Sequence, residues 1–319
     1  MQEYEKLEII GKSPTFVDLL AKIPQIAQSS SSVLIVGDTG TGKEVIARRI
    51  HQLSPRNHCP FVAVNCGAIP RELAENELFG HRGGAFTGAS ISKSGLIAES
   101  EGGTLFLDEI DSFSPAVQVK LLRFLEEKVY RPLGDTQERQ ADVRIVAALN
   151  VNPDEVVTSG RLRLDLYYRL DVFRLNLPAL RERIEDIPLL AGHFLRKFSR
   201  DLRKEVKEFS QAAIDKLITH DWPGNVRELE NAIERAVIFC DSEIIRDEHI
   251  VLDCFQMSDT SFQEVKSRLV RQFEIEYIEK LLLAHGGNIT KAAAAAKKDL
   301  RAFRWLISKY GIDVSRFTA

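Results

Sequence analysis

The chain has 319 residues, 44% of them hydrophobic and 28% charged, with a net charge of −3. That make-up belongs to a soluble globular protein of about two domains with room for a sizeable core. It argues against a membrane-spanning protein, because no run of about 18 apolar residues occurs. The acidic N-terminus, Met1-Gln-Glu-Tyr-Glu-Lys6, lacks the apolar core of a signal peptide. Cys59, Cys66, Cys240 and Cys254 form no C-x-x-C pair. Neither a zinc site nor a redox motif is indicated, and reduced thiols in a cytosol are expected.

In chain order, residues 7–11 read as a leading loop, 14–27 as a helix and 29–32 as a polar loop. Val33-Leu-Ile-Val36 is a short apolar, β-branched run that reads as a buried parallel strand. Gly37-Asp-Thr-Gly-Thr-Gly-Lys43 then fits G-x-x-x-x-G-K, and residues 44–50 continue at helical spacing. Strand, glycine loop and helix in that order make a phosphate site. Glycines let backbone N–H groups curl around an anion, the helix N-terminus adds partial positive charge, and Lys43 reaches the β- and γ-phosphates. The next position, usually a Ser or Thr whose hydroxyl binds Mg²⁺, is Glu44, so metal binding must lean on another acid. Residues 61–65 form a second strand, 73–79 a short helix, and 81–95 a glycine-rich stretch containing Gly84-Ala-Phe-Thr-Gly-Ala89. Gly103-Thr-Leu-Phe-Leu-Asp-Glu109 is an apolar strand ending in two carboxylates. Asp108 would hold Mg²⁺, directly or through water, and Glu109 would orient or deprotonate the attacking water. Residues 117–127 carry Val117, Leu121, Leu122 and Leu125 on one helical face, and 143–149 form a fourth strand ending at Asn150. Strands separated by helices imply a parallel sheet covered on both faces.

From Leu180 the texture turns helical, with helices over 188–198, 211–219 and 226–240 and no strand of the earlier kind. Trp222-Pro-Gly-Asn225 breaks two of them. Residues 253–261 read as a linker and 262–284 as a long amphipathic helix, stopped by Gly286-Gly-Asn288; two short helices follow over 288–296 and 299–309. Residues 285–319 hold seven Lys/Arg against two Asp/Glu, a net charge of +5 that leaves −8 for the rest. A basic end on an acidic body suits contact with phosphates.

These motifs together resemble the bacterial enhancer-binding proteins, the NtrC-like activators of sigma-54 RNA polymerase, over residues 7–312. The resemblance implies an α/β fold: an AAA+ P-loop parallel sheet with a helical lid subdomain, followed by a small all-α helix-turn-helix domain of the Fis type. The corresponding boundaries are 1–178 for the nucleotide-binding part, 179–252 for the lid, 253–261 for the linker and 262–319 for the helix-turn-helix. It implies an ATPase that uses ATP and Mg²⁺, with Asp108 as the metal ligand. Ile10, Gly37, Asp38, Thr39, Gly40, Thr41, Gly42, Lys43, Glu44 and the lid residue Arg227 would meet the nucleotide. Gly84, Ala85, Phe86, Thr87, Gly88 and Ala89 would form the loop that touches the sigma factor; flanking glycines let it bend and the aromatic can dock. Asn150 would polarise the attacking water, and Arg163 and Arg169 would reach the neighbouring subunit's nucleotide in a homo-oligomeric ring, a hexamer in this family. Asn65 carries two readings, a switch for Glu109 or a strand-end amide satisfying backbone groups. Lys297, Lys298, Arg301, Arg304 and Lys309 are the candidates for contact with an upstream DNA site.

Glu44 is typical of the family. The chain departs from its pattern at Leu149, where Thr is usual, at Leu162 and Leu164, where Phe and Glu are usual, and at Lys297, where the helix-turn-helix normally has Gly. Two rival readings stand beside the activator: a DNA-binding regulator that uses the nucleotide as a slowly hydrolysed switch, and an AAA+ loader or helicase acting on DNA. No receiver or ligand-sensing segment precedes Leu7, as expected either of a piece of a longer two-component regulator or of a protein controlled by a partner in trans. A cytoplasmic protein without membrane contact is expected.

Overall fold

A computed structural model describes residues 9–85 and 91–252 and, in the C-terminal unit, 278, 281–283, 285, 286, 288–296, 298, 299, 301, 303, 306, 307 and 309. The chain divides into two compact units, Met1–Asp253 and Cys254–Ala319.

The first unit begins with α1 (Pro14–Gln28), β1 (Val33–Val36), α2 (Lys43–Gln52), β2 (Phe61–Asn65), α3 (Arg71–Phe79), α4 (Leu96–Glu99), β3 (Thr104–Asp108) and α5 (Pro115–Glu127). A small antiparallel pair, β4 (Val129–Tyr130) and β5 (Arg139–Gln140), precedes β6 (Arg144–Leu149), α6 (Pro153–Thr158), α7 (Leu164–Leu170) and β7 (Phe173–Asn176). The main sheet has five parallel strands in the order β2-β3-β6-β1-β7. The sequence shows four of them. Edge strand β7 escapes the pattern because it is four residues long, follows α7 by only two residues and buries only Leu175.

Side chains alternate across the sheet, as strand geometry requires. Val33, Ile35, Phe106, Val146 and Ala148 pack against α1 and α2. Leu34, Leu105, Leu107, Ile145, Ala147 and Leu149 pack against α3, α5 and α7. Leu149 and Leu162 are thus core residues, whereas Leu164 stands half exposed. Arg144 anchors the N-terminal end of the central strand β6. Its fully buried guanidinium donates to the carbonyls of Ile26 (2.7 Å), Ala27 (2.9 Å) and Ser31 (3.2 Å), satisfying the open C-terminal end of α1.

The remainder of this unit comprises α8 (Ile187–Asp201), β8 (Glu208–Phe209), α9 (Gln211–Thr219), α10 (Asn225–Phe239) and β9 (Ile244–Ile245) around a separate apolar cluster from Leu180 to Ile250. The parallel β8–β9 pair is a correction to the purely helical expectation. Two residues per strand are too few to leave a periodic signal. Trp222, fully buried, donates its indole N–H to the Leu217 carbonyl at 2.8 Å and fixes the turn between α9 and α10.

In the second unit, α11 (Ile289–Ala295) places Ala292 and Ala293 in a small core with Ile278, Leu282, Phe303, Leu306 and Ile307. Asn288 caps α11 by accepting the Lys291 N–H at 3.1 Å. The Lys298 N–H returns to the Ala293 carbonyl at 3.1 Å, closing the helix end. Asp299 opens the next turn by accepting the Arg301 N–H at 2.8 Å. Lys298, Arg301 and Lys309 are exposed. Lys297 and Arg304, the 253–261 linker and most of the 262–284 helix lie outside the described residues.

Candidate functional site

The strand register builds the site. Val36 pairs with Leu149, and Leu107 with Ala147, so Gly37, Asn150 and Asp108 emerge together at the C-terminal edge of the sheet. In a parallel α/β sheet that edge is where ligands bind. Gly40 and Gly42 adopt φ of +80° and +99°, and a Cβ on Gly42 would meet only open space. Such a loop leaves a concavity lined by N–H groups at the start of α2, suited to an anion of the triphosphate type.

Lys43 is buried at the floor. Its ammonium donates to the carbonyls of Gly37 (2.8 Å) and Asp38 (3.2 Å) and to the Asn150 side-chain oxygen. The Asn150 amide in turn donates to Glu109 Oε1 at 2.9 Å. The three residues therefore form one polar chain from the phosphate loop to the strand-end acids. Burial lowers the Lys43 pKa; the carboxylates of Asp108 and Glu109 oppose it. Burial raises the Asp108 pKa against the pull of Lys43. Asp108 Oδ1 accepts the Glu109 N–H at 3.0 Å, and its hard oxygen donors beside a phosphate cradle fit Mg²⁺. Glu109 sits at φ 56°, a left-handed backbone uncommon for glutamate, which turns its carboxylate back over the strand ends.

Asn65 lies opposite Asp108 in the β2–β3 register. Its side-chain oxygen accepts the Ala68 N–H at 3.1 Å and caps the turn after β2. Both Asn65 Oδ1 and Glu109 Oε2 crowd the face of Gly67, 3.2 and 2.4 Å from where a Cβ would stand. Glu44 points elsewhere, in an ion pair with Arg48 at 2.7 Å, half exposed. Thr41 closes the loop on itself, its hydroxyl donating to the Asp38 carbonyl at 2.8 Å. Ile10 packs against the apolar cluster around α8 and α10. Arg227 is exposed at the start of α10, with its Cβ 3.2 Å from the position a Gly40 Cβ would take.

Arg163 immediately precedes α7 and Arg169 lies in its last turn, both exposed. Arg163 is engaged with Asp165 at 2.7 Å, and Arg169 donates to the Leu125 carbonyl at 3.3 Å; neither partner belongs to the phosphate site.

Of the loop expected to touch the sigma factor, Gly84 and Ala85 are described and Phe86, Thr87, Gly88 and Ala89 lie outside the described residues. Its root is firmly tied. His81 and Lys93 exchange two backbone hydrogen bonds of 3.0 Å, and the Arg82 N–H donates to the Leu133 carbonyl at 2.9 Å. The His81 ring joins Asn76 (2.6 Å) to the Ile91 carbonyl (2.9 Å), bridging α3 and the returning end of the loop. Ala85 packs on Gly134, in the β4–β5 connection. The sequence gives no functional role to His81, Arg183 or Asn225, which stand out only by their buried polar partners.

A parallel sheet with a phosphate loop, a strand-end Asp-Glu pair and a helical lid defines a P-loop ATPase of the AAA+ class. Residues 9–176 match the Sigma-54 interaction domain model and residues 181–267 the AAA+ ATPase lid domain model. The transcriptional regulatory protein GlrR of Escherichia coli (strain K12) is 46% identical over 310 residues, 97% of this chain and 69% of that protein. ZraR of the same organism is 47% identical over 285 residues, 89% of this chain and 65% of that protein. The crystal structure of NtrX from Brucella abortus in complex with ATP is similar at 30% identity and a TM-score of 0.73, covering 96% of this chain and 70% of NtrX. The chain belongs to the family of sigma-54-dependent transcriptional activators and carries its AAA+ ATPase domain.

Proposed function

We propose that this protein hydrolyses ATP in a ring of identical subunits, remodels sigma-54 RNA polymerase through the 84–89 loop, and is tethered to upstream DNA by its C-terminal unit. The observation that carries the reading is the Lys43–Asn150–Glu109 chain beside Asp108. Lys43 and the loop amides hold the β- and γ-phosphates. The γ-phosphate competes with Asn150 for the Lys43 ammonium and thereby frees the amide to orient water. Glu109 accepts that water's proton as it attacks phosphorus and ADP departs. Asp108 would hold Mg²⁺, which when bound neutralises phosphate charge. Arg163 and Arg169, exposed and remote in partner from their own site, act on the neighbouring subunit's ATP, and Arg227 reports the γ-phosphate to the lid. The exposed Lys298, Arg301 and Lys309 supply phosphate contacts on DNA, together with Lys297 and Arg304. The rival loader reading lacks a use for the 84–89 loop, and the slow-switch reading lacks one for Glu109. A cytoplasmic setting follows from these partners; among the described residues no helix is long and apolar enough to cross a membrane.

The test is a paired assay on Thr87→Ala. Phosphate release should stay within about twofold of wild type, because Thr87 lies outside the phosphate motifs, while transcription from a supercoiled sigma-54 template is lost. Proportional loss of both would place the loop in the ATPase core; normal transcription would overturn the coupling role.

A further inference from the structure

Four consecutive residues of the phosphate loop are each held from the lid side. The Asp38 carboxylate pairs with Arg181 at 3.3 Å. The Thr39 carbonyl accepts from Asn225 Nδ2 at 2.9 Å, the Gly40 carbonyl from the Val226 N–H at 3.0 Å, and the Thr41 carbonyl from Arg183 Nη2 at 3.0 Å. In a phosphate nest the N–H groups face the anion, so the carbonyls of the same peptides face away from it. Here those outward carbonyls are the ones that Asn225, Val226 and Arg183 grip. The fit is tight: a Cβ on Gly40 would lie 2.2 Å from the Gly224 carbonyl oxygen.

Asn225 is built for this place. It is fully buried and takes φ 53°, a left-handed conformation that Asn tolerates better than most residues. Its other amide atom is also engaged: Oδ1 accepts the Leu180 N–H at 2.8 Å, at the start of the segment that carries Arg181 and Arg183. One side chain thus joins the phosphate loop, the strap leaving the sheet and the first turn of α10. Arg183 is likewise buried, with its guanidinium 4.6 Å from the Phe16 ring.

We infer that Asn225, seconded by Arg183, is a positioning residue that keeps the loop amides set for the phosphates and makes nucleotide occupancy and lid position one event. Anion binding pulls on the amides, and each peptide passes that pull to the lid through its carbonyl. The side chain touches no nucleotide; it acts through Thr39. This inference rests on the phosphate reading of the loop.

Asn225→Asp is the discriminating change. It keeps size, the left-handed tolerance and the acceptor for Leu180, but sets an oxygen where Thr39 needs a donor. In the full chain, with ATP and Mg²⁺, KM should rise about tenfold, the scale of one lost hydrogen bond to a buried carbonyl, while kcat stays within about twofold. Trp222, three residues away, supplies a second readout in a Trp305→Phe background, where it is the sole indole. Its emission should change on addition of ADP, and Asn225→Asp should require about tenfold more ADP for the same change. The melting temperature without nucleotide should fall as well, because the Thr39 carbonyl loses its donor in that state too, so KM and ADP dependence are read at a temperature where the variant is fully folded. Should the Asp variant fail to fold, Asn225→Gly suits the same φ and removes the same donor, with the same shifts expected. Unchanged KM and ADP dependence in a folded variant would overturn the inference, as would a fall in kcat alone. Failure of the wild-type chain to bind ATP or ADP would instead overturn the phosphate reading.

Discussion

Asp108 and Lys43 are held in an environment that burial makes unfavourable for both charged forms, and each is the other's partial remedy. The consequence for stability has a definite sign. The folded protein holds the Asp108 proton more tightly than the unfolded chain does, so this residue's contribution to stability falls as pH rises from about 4, the ordinary carboxylate value, through the raised folded value. Lys43 runs the other way in the alkaline range: its folded value is lowered, so stability is gained as pH rises through it towards the ordinary lysine value. Asp108→Asn removes the first effect. Its melting temperature relative to wild type, measured without nucleotide, should climb as pH rises from about 4 through the raised folded value, while phosphate release falls by about a hundredfold or more. A difference that stays flat across that range would show that burial does not govern this carboxylate. The left-handed Glu109 fits the same pattern of local cost accepted at a working position.

At the level of elements, β6 and α1 show how a single buried cation can hold a layer in place. Arg144 begins the central strand and satisfies three carbonyls at and just beyond the end of α1. Burial pulls its pKa down to about 10, so it remains charged at neutral pH. Arg144→Met would fill similar volume but leave those carbonyls without their donors. A loss of about 3–5 kcal/mol is expected, seen in urea unfolding as a lower midpoint with unchanged slope. Arg144→Lys should recover only part of it, since one ammonium cannot reproduce the guanidinium fork. A cost below about 1 kcal/mol for the Met variant would mean that water or repacking serves the helix end equally well. The loop root shows the same economy, with His81 joining α3 to the returning end of the loop at Ile91.

For the whole molecule, the proposal of action between subunits gives a test that no single chain can imitate. Arg163→Ala should lower turnover and leave the nucleotide affinity of an isolated subunit nearly intact, because Arg163 contacts Asp165 and not its own phosphate site. Mixing this variant with Glu109→Gln, which keeps both arginines but cannot accept the water's proton, should restore part of the turnover. No recovery in rings shown to be mixed would assign the arginine to its own subunit's site.

Some of this was legible in the residues alone. Gly37–Lys43 and Asp108-Glu109 announce themselves because phosphate chemistry demands fixed residue types at fixed spacing in one stretch of chain. The strand at Phe61–Asn65 and the helix at Gln211–Thr219 are equally plain from local patterning. Other features left no such trace. Strand β7 and the β4–β5 and β8–β9 pairs are too short to show a period, and the partners of β7 and β8 lie far along the chain. Asn225 read only as part of a break, Arg183 as one arginine among many, and Asn65 could not be resolved between two roles. Their meaning depends on which backbone carbonyl or carboxylate stands opposite, and that is settled by strand order and by the lid folding back onto the phosphate loop. Sequence alone determined the chemistry that needs contiguous residues; only the tertiary structure decided which distant residues hold that chemistry in position, because a hydrogen bond to a backbone group places no demand on the identity of the residue that offers it.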